Sequence, residues 1–564
     1  MKMSGKRVNR YWWCLAAFLL VGTAVPSQAK WLTIHNDFCQ YDSDGNLIQT
    51  RSGCLNKFGD TYYWYGWKGT DQNCYASKDL LHWEKRGVIY TGSSWTNRMD
   101  MAYNESTKQY VLILKYASGD ACNLGIATCS TPDGKFNLKG NYQAFGHQIC
   151  DMSVFKDDDN KLYLAYVWNS VANADCGGVS EHALARFKPD YLNLEENLHV
   201  WHRGSREANM MMKHNGIYYY LTSLTDWTKS SATKYYTAPD PAGPWTDELI
   251  PMITPGNTAD NSWDTQCDFI FAFKGTQDTV LMFCGDRWEK PDPARLGDYA
   301  WLPVSFTPKD SVLVNYYQDW EVDPDRGTWR PIDAIRNLAL HKTATASSTS
   351  GSNTPNNVTD SSTWQNYNKS KWTSASSDPQ WIMVDLGAEM NVDRVILKWD
   401  SAYAKSFKIQ VATDTASWKD VFSTTKAGLR SLTDETFPST VARYVRMYGT
   451  QRGNTSKGYG LFDFMVLDDA GYTKTTEKPG NPTVPSERLL TFKNTRIRYH
   501  VPRDNSVKLD VVDCRGKRLA VLVDGFKRAG DHEAVLPASV GSGMYIVRFT
   551  AGAKRYAAMW VRMN

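Results

Sequence analysis

The sequence predicts an all-β chain whose first large region is a five-bladed β-propeller. Three observations carry this. Polar turns lead into aromatic strands that begin near residues 61, 109, 162, 217 and 279, in steps of 48, 53, 55 and 62 residues. Each step has room for four short strands, the content of one propeller blade. No convincing helical periodicity interrupts the pattern. Beyond residue 331, apolar and polar residues alternate in Trp381 to Leu386 and in Ser406 to Val411, as half-buried strands do.

Taken in order, residues 1–29 read as a secretory signal. Lys2, Lys6, Arg7 and Arg10 precede an apolar run from Trp12 to Val25, and Ser27-Gln28-Ala29 offers a cleavage site. The run is too short to favour a membrane span, and no other stretch could cross a bilayer. In the propeller, residues 30–330, the aromatic strands lie in Lys57 to Gly66, Asn104 to Leu112, Asp157 to Tyr166, His214 to Ser223 and Gly275 to Phe283. Second-hairpin signals fall between them, at Tyr75 to Trp83 and Ala238 to Trp245. The pair Asn215-Gly216 suits a tight hairpin turn, because both positions tolerate positive φ. Glu207, in Ser205-Arg206-Glu207-Ala208, then stands near the start of a hairpin with buried strands. Near residue 331 the composition shifts to Ser, Thr and Asn, and a second domain is predicted over 336–470. Residues 471–487 read as an extended linker, and 488–564 as a small C-terminal β-sandwich.

The 564 residues carry a formal charge of +4 with no long run of either sign, which argues against nucleic acid and anionic membranes as partners. Trp and Tyr number 22 and 31. Such a surplus can be core, but flat rings exposed in loops also stack on sugar faces. Of eleven cysteines, Cys14 leaves with the signal, nine lie between Cys39 and Cys284, and the last is Cys514. Without CxxC pairs, and in an exported chain, disulfides are favoured over zinc. Nine is odd, so at least one thiol there is free or pairs elsewhere.

The motifs become specific when read together. Asp42-Ser43-Asp44-Gly45-Asn46 with Ile48-Gln49, Gly59 to Gly66, and Cys150-Asp151-Met152 ahead of Phe155-Lys156-Asp157-Asp158 come first. Ser205-Arg206-Glu207-Ala208, Gly243-Pro244-Trp245, Gln266, Gly285-Asp286-Arg287-Trp288 and Trp301-Leu302-Pro303 follow. With them the region resembles glycoside hydrolase family 43, inverting glycosidases on a five-bladed propeller, and most resembles the exo-β-1,3-galactanase branch. Asn337 to about Leu467 resembles a discoidin-type (coagulation factor 5/8 C-terminal) β-sandwich similar to carbohydrate-binding module family 32. Ala344 to Ser348, Trp372-Thr373-Ser374, Gln380 to Gly387 and Ala442 to Arg446 carry that likeness. Asp510 to Lys517, Ala529 to His532 and Ser542 to Arg548 resemble the C-terminal sorting domain of type IX secretion, with another small adhesive sandwich as the competing reading.

An inverting glycosidase needs an acid for the leaving oxygen and a base for water on the opposite face, about 6.5–9.5 Å apart. The resemblance implies Glu207 as the general acid, Asp151 as the carboxylate that orients it, and Gln266 as the residue that positions the water. A carboxyl beside buried strands and near a second carboxylate has reason to stay protonated at neutral pH, as an acid must. Plainer readings stand beside these: Glu207 paired with Arg206, and Asp151 capping a turn. A neutral amide is a poor base, and turn or cap roles suit the local carboxylates Asp37, Asp42 and Asp44 equally well. The galactanase branch carries His-Gly-Gly where Arg51-Ser52-Gly53 stands, and Glu-Arg-Pro where Asn97-Arg98-Met99 stands. The substrate-binding candidates are therefore Gln49, Arg51, Asn97, Arg287 and Trp288, with a structural cation–π pair open for the last two. Cys150 and Cys267 adjoin site residues, and disulfides locking those strands are expected, against plain burial.

In the second domain, Trp364, Tyr367, Arg452 and Tyr459 fall in predicted loops and form a candidate second carbohydrate site. The sequence thus predicts a secreted or cell-surface protein, exported in the Gram-negative manner. Its expected activity is inverting exo-hydrolysis of galactose-containing plant cell-wall polysaccharide, such as the β-1,3-galactan core of arabinogalactan. The alternatives are an arabinofuranosidase, xylosidase or galactofuranosidase, and a non-catalytic carbohydrate-binding surface protein. No cofactor is required and no catalytic metal is implied; structural calcium enters by resemblance alone. The partners are the polysaccharide and, through the C-terminal domain, the export machinery, with no nucleic acid and no membrane span.

Overall fold

The computed structural model describes residues 31–36, 40–92, 96–118, 121–169, 180–202, 206–225, 230–257, 259–287, 299–332, 336–360, 370–425 and 432–469 of the first two domains. Towards the C-terminus it describes 490–493, 496–501, 505–513, 518–528, 530–537, 540, 543–551 and 554–562.

After β1 (Leu32–His35), the described residues form five four-stranded antiparallel sheets in succession. The first holds β2 (Arg51–Phe58), β3 (Thr61–Lys68), β4 (Asp71–Ser77) and β5 (Glu84–Thr91). The second holds β6 (Asn97–Asn104), β7 (Gln109–Ser118), β8 (Ala121–Cys129) and β9 (Asn137–Tyr142). The third is β10 (Gln148–Lys156), β11 (Leu162–Asn169), β12 (Ser180–Phe187) and β13 (Leu194–Trp201). The fourth is β14 (Arg206–His214), β15 (Ile217–Leu224), β16 (Lys234–Ala238) and β17 (Ile250–Pro251). The fifth is β18 (Gln266–Lys274), β19 (Thr279–Asp286), β20 (Tyr299–Phe306) and β21 (Val312–Val314). The predicted starts at 61, 109, 162, 217 and 279 coincide with the second strand of each sheet. The β14–β15 turn uses Asn215 and Gly216 at φ 49° and 79°, as the Asn-Gly pair predicts.

The first strands β2, β6, β10, β14 and β18 touch in sequence, and β18 returns against β2, so the sheets close into a ring. Both faces of the middle strands are then covered by neighbouring sheets, which is why they read as aromatic runs and not as strict alternation. Trp64 meets Trp83, Trp301 and Tyr299 between the first and fifth sheets, and Trp201 stacks on Tyr236 between the third and fourth. Much of the Trp and Tyr surplus is therefore core.

A small sheet joins β1 to β22 (Asp319–Asp323) and β23 (Thr328–Pro331), so the first described strand pairs with the segment leaving the fifth sheet. The second domain follows with β24 (Thr343–Ala346), β25 (Trp372–Thr373), β26 (Gln380–Trp399), β27 (Ala404–Ala412), β28 (Lys419–Thr424), β29 (Leu432–Arg452) and β30 (Gly460–Leu467) around one apolar core. Against the small sheet it places a buried ionic cluster. Arg394 donates to Asp434 (2.6 Å), Thr33 (2.6 Å), Asp469 (2.9 Å) and Glu321, while Lys398 pairs with Asp319 at 2.8 Å. His35 lies between Asp319 (2.7 Å) and Asp434 (3.2 Å). The C-terminal strands β31 (Leu490–Lys493), β32 (Arg496–Val501), β33 (Asn505–Asp513), β34 (Arg518–Lys527), β35 (Gly530–Val535), β36 (Gly543–Ala551) and β37 (Lys554–Arg562) form two sheets of their own. Among the described residues no helix is long and apolar enough to cross a membrane.

The disulfide expectation needs correction. Cys54, Cys74, Cys122, Cys129, Cys267 and Cys284 carry free thiols. Four of them, Cys54, Cys74, Cys267 and Cys284, are buried as small apolar side chains in the ring. Cys150 is disulfide-bonded, to a partner outside the described residues.

Candidate active site

Each of the five first strands carries one irregularity near its start. The register slips between Arg51 and Cys54, Asn97 and Met99, Ile149 and Met152, Glu207 and Met210, and Cys267 and Phe269. A β-bulge lets one strand carry an extra residue and re-aims it. Ser52, Arg98 and Ala208 take φ of 50°, 44° and 54° within these bulges, an uncommon conformation for residues with a Cβ. Such strain persists only where surroundings fix it, and it clusters at functional sites.

The bulged residues are joined by one polar network at the same end of the ring. The Ser52 amide donates to Asp286 (2.9 Å) and the Gly53 amide to Asp268 (3.2 Å). A Cβ at Gly53 would lie 1.9 Å from the Tyr65 carbonyl oxygen, so only glycine brings that amide so close. Arg98 forks from Asp268 (Nη1, 3.0 Å) to Asp151 (Nη2, 3.2 Å), and Asp151 accepts the Ala208 amide at 3.1 Å. Gln266 sits between the two charge types: its Oε1 accepts from Arg98 at 2.8 Å, and its Nε2 donates to Glu207 Oε1 at 2.7 Å. Glu207 is 7% exposed and Gln266 2%.

The electrostatics follow from this crowding. Burial works against the charge on Arg98, but Asp151, Asp268, Asp286 and Glu207 together raise its pKa. Burial first, and then the charge of Asp286, push Asp268 well above the usual carboxylate range, with Arg98 opposing. Cys267 is raised to about 11 by burial, so its thiol stays protonated; its Sγ lies 2.8 Å from the Ala208 carbonyl oxygen and 3.0 Å from Ser223 Oγ. It links the fourth and fifth sheets by hydrogen bonds and not by the disulfide expected there.

The structure thus brings together Glu207, Asp151 and Gln266. The Arg206 ion pair is not what places Glu207: Arg206 turns into its own sheet, donating to Thr222 Oγ1 (2.6 Å) and the Ala232 carbonyl (2.9 Å). Asp42 accepts the Asp44 and Asn46 amides and is a turn cap, and Asp44 is exposed. Gln49 and Arg51 are half-buried at the start of the first sheet. Arg287 is buried, 3.5 Å from the Trp263 carbonyl and over the Tyr316 ring at 5.9 Å. Trp288, Asp37, Trp364 and Tyr367 lie outside the described residues, and Asn97 is described only in its backbone. Tyr459 is 0% exposed, its hydroxyl bonded to Asp378, so it is core and not a sugar contact. Arg452 is spent on Asp378 (3.3 Å) and the carbonyls of Thr455 and Lys457.

Arg98, Asp268 and Asp286 were not among the predicted site residues. The signal for Asp268 was its position two residues after Gln266, and for Arg98 its place beside Asn97. Neither identifies a bulge. A cavity of about 880 Å³ lies at the other end of the first strands, lined by Phe58, Tyr103, Phe155, Lys213, His214 and Lys274. It holds none of Glu207, Asp151 and Gln266, and so is not where a carboxyl chemistry of this kind would run.

Residues 54–291 match the model of the Glycosyl hydrolases family 43, and residues 343–463 the F5/8 type C domain. The Beta-D-galactofuranosidase xynD of Aspergillus niger is 29% identical over 208 residues, covering 33% of this chain and 58% of that protein. The chain therefore matches little more than half the length of that curated relative. Among solved structures, an exo-beta-1,3-galactanase from Phanerochaete chrysosporium is 20% identical over 77% of this chain and 100% of its own, with a TM-score of 0.49. An exo-beta-1,3-galactanase from Clostridium thermocellum is 22% identical with the same coverages and a TM-score of 0.46. A chitosan-binding module of a chitosanase/glucanase from Paenibacillus sp. IK-5 is 43% identical over 23% of this chain and 98% of its own, with a TM-score of 0.22. A glycosyl hydrolase domain and an F5/8 type C domain thus stand on one chain.

Proposed function

We propose that the protein is a secreted, inverting exo-glycosidase built on a five-bladed propeller, releasing galactose from β-1,3-galactan of the arabinogalactan type. The observation that carries the proposal is the Glu207 carboxyl, buried at the mouth of the ring. Gln266 holds it at 2.7 Å, and Asp151 fixes the next residue's amide at 3.1 Å. In this reading Glu207 protonates the leaving oxygen, Asp151 holds it in place, and a water attacks from the opposite face of the sugar. The reaction runs on side chains alone and calls for no cofactor. The family 43 match supports a glycoside hydrolase, and the name of the Aspergillus relative supports a galactose-derived ring at the reacting position. That same name favours a second reading, a galactofuranosidase with identical residue roles. The F5/8 type C domain would keep the enzyme near its polysaccharide and raise the effective concentration. The small C-terminal domain would direct export to the cell surface.

The test is hydrolysis of β-1,3-galactan and of aryl β-galactopyranoside, β-galactofuranoside, α-arabinofuranoside and β-xyloside, wild type beside Glu207→Gln. Galactose release as the inverted anomer is expected, with kcat lower by roughly 10²–10⁴-fold in the variant. Turnover of another glycoside would keep the acid and replace the substrate. A wild type that binds glycans and cleaves none would leave a carbohydrate-binding protein.

A further inference from the structure

We propose that Arg98 is a positioning residue that fixes the orientation of the Gln266 side-chain amide, turning its NH2 group toward Glu207. This rests on the family 43 reading of the site. A guanidinium carries five N–H donors and no acceptor. The Gln266 atom 2.8 Å from Arg98 Nη2 must therefore be the carbonyl oxygen, and the nitrogen is directed at Glu207 Oε1, 2.7 Å away. Turned over, the amide would set its NH2 group against the guanidinium donors of Arg98, whichever protonation state Glu207 has. All three side chains are buried, so water could not replace the lost partners.

Arg98 is itself over-determined. It is the extra residue in the β6 bulge, with φ 44°, and Asp268 and Asp151 hold its two terminal nitrogens at 3.0 and 3.2 Å. The fork is the feature that matters, because one planar group reaches Asp268, Asp151 and Gln266 at once. A lysine would keep the charge but has a single nitrogen and no fixed fork. The orientation has a chemical consequence. An N–H donated to a carboxylate favours its ionised form, whereas a neighbouring negative charge favours the neutral form. Arg98, acting through Gln266, thereby sets the pH above which Glu207 can no longer donate its proton.

The test uses the full chain and whichever glycoside it cleaves. Arg98→Lys is expected to lower kcat by about 10²-fold with KM within about threefold. It should also move the alkaline limb of the kcat/KM profile to higher pH, because the amide is no longer obliged to donate to ionised Glu207. Gln266→Glu should pair with Arg98, set a second negative charge against Glu207, and move the same limb in the same direction. A purely structural role would lower the melting temperature and leave the limb in place. A crystal structure of Arg98→Lys is the arm independent of turnover, and loss of the Gln266–Glu207 hydrogen bond is expected there. An unmoved limb with kcat within about twofold of wild type, or retention of that hydrogen bond, overturns the proposal. If Arg98→Lys does not fold, an atomic-resolution crystal structure of the wild type decides alone, and an amide oxygen of Gln266 facing Glu207 overturns the proposal. If the wild type cleaves no glycoside, the family 43 reading falls, and the crystal structure still decides the orientation in either direction.

Discussion

Asp151 shows how much a single side chain does in this site. Its Oδ2 accepts the Ala208 amide at 3.1 Å, fixing the backbone immediately after Glu207, and faces the Arg98 guanidinium at 3.2 Å. Removing its charge while keeping its shape leaves Arg98 less balanced beside Glu207, which favours ionised Glu207. Asp151→Asn is therefore expected to move the alkaline limb of the kcat/KM profile to lower pH, opposite to Gln266→Glu, with kcat lower by about 10–100-fold. Profiles of the two variants measured together check the sign. A shift of both in one direction would remove Asp151 from the charge balance.

At the scale of the element, the recurring device is the bulge near the start of each first strand. It turns backbone amides at Ser52, Gly53 and Ala208, and side chains at Arg98, Asp151 and Asp268, into one network. The conformation is costly where the residue is not glycine. Ala208 is buried with φ 54°. Ala208→Gly should relieve that strain and leave stability within about 1 kcal/mol of wild type, with the glycine's entropy in the unfolded chain working the other way. Ala208→Val, β-branched at positive φ, should cost about 1–3 kcal/mol. Thermal unfolding of the pair checks the ordering. Equal losses would mean that the bulge is held by packing and not by backbone conformation.

At the scale of the molecule, the sheet β1–β22–β23 ties the ring to the F5/8 type C domain through buried ions. Burial opposes the imidazolium of His35, but hydrogen bonds to Asp319 and Asp434 outweigh it and raise its pKa above 6.5. Burial also opposes the two aspartates, yet Lys398 and His35 on Asp319, and Arg394 and His35 on Asp434, hold them below the usual carboxylate range. Both therefore stay ionised across the range in which His35 titrates. A histidine with a raised folded pKa contributes stability that is complete below its unfolded value near 6.5 and fades as pH rises through the folded value. The melting temperature of wild type should exceed that of His35→Gln most clearly at pH 6, with the gap narrowing towards pH 9. A gap that widens with pH would reverse the sign assigned to His35.

Composition, spacing and turn chemistry by themselves determined the all-β class, the second-strand starts at 61, 109, 162, 217 and 279, and the Asn215-Gly216 turn. These depend on local backbone preference and on the period of burial, both of which are written along the chain. Glu207, Asp151 and Gln266 were legible as motif residues, yet their meeting was not. They lie on β14, β10 and β18, and only closure of the ring sets Gln266 Nε2 against Glu207. Burial also decided against readings that the sequence had left open. Tyr459 read as a sugar-facing aromatic in a loop, and it is packed inside. Cys54, Cys74, Cys267 and Cys284, for which disulfides were open, are free thiols in the core, while Cys150 is bonded as expected. Arg98 and Asp268 stood beside residues singled out in the sequence, but nothing there marked them as site residues, because a bulge is a one-residue slip between paired strands and has no fixed local pattern. The chain specifies which residues are available, and the closure of five sheets decides which of them share a site, since hydrogen bonds and charges act over a few ångströms of space and not along the sequence.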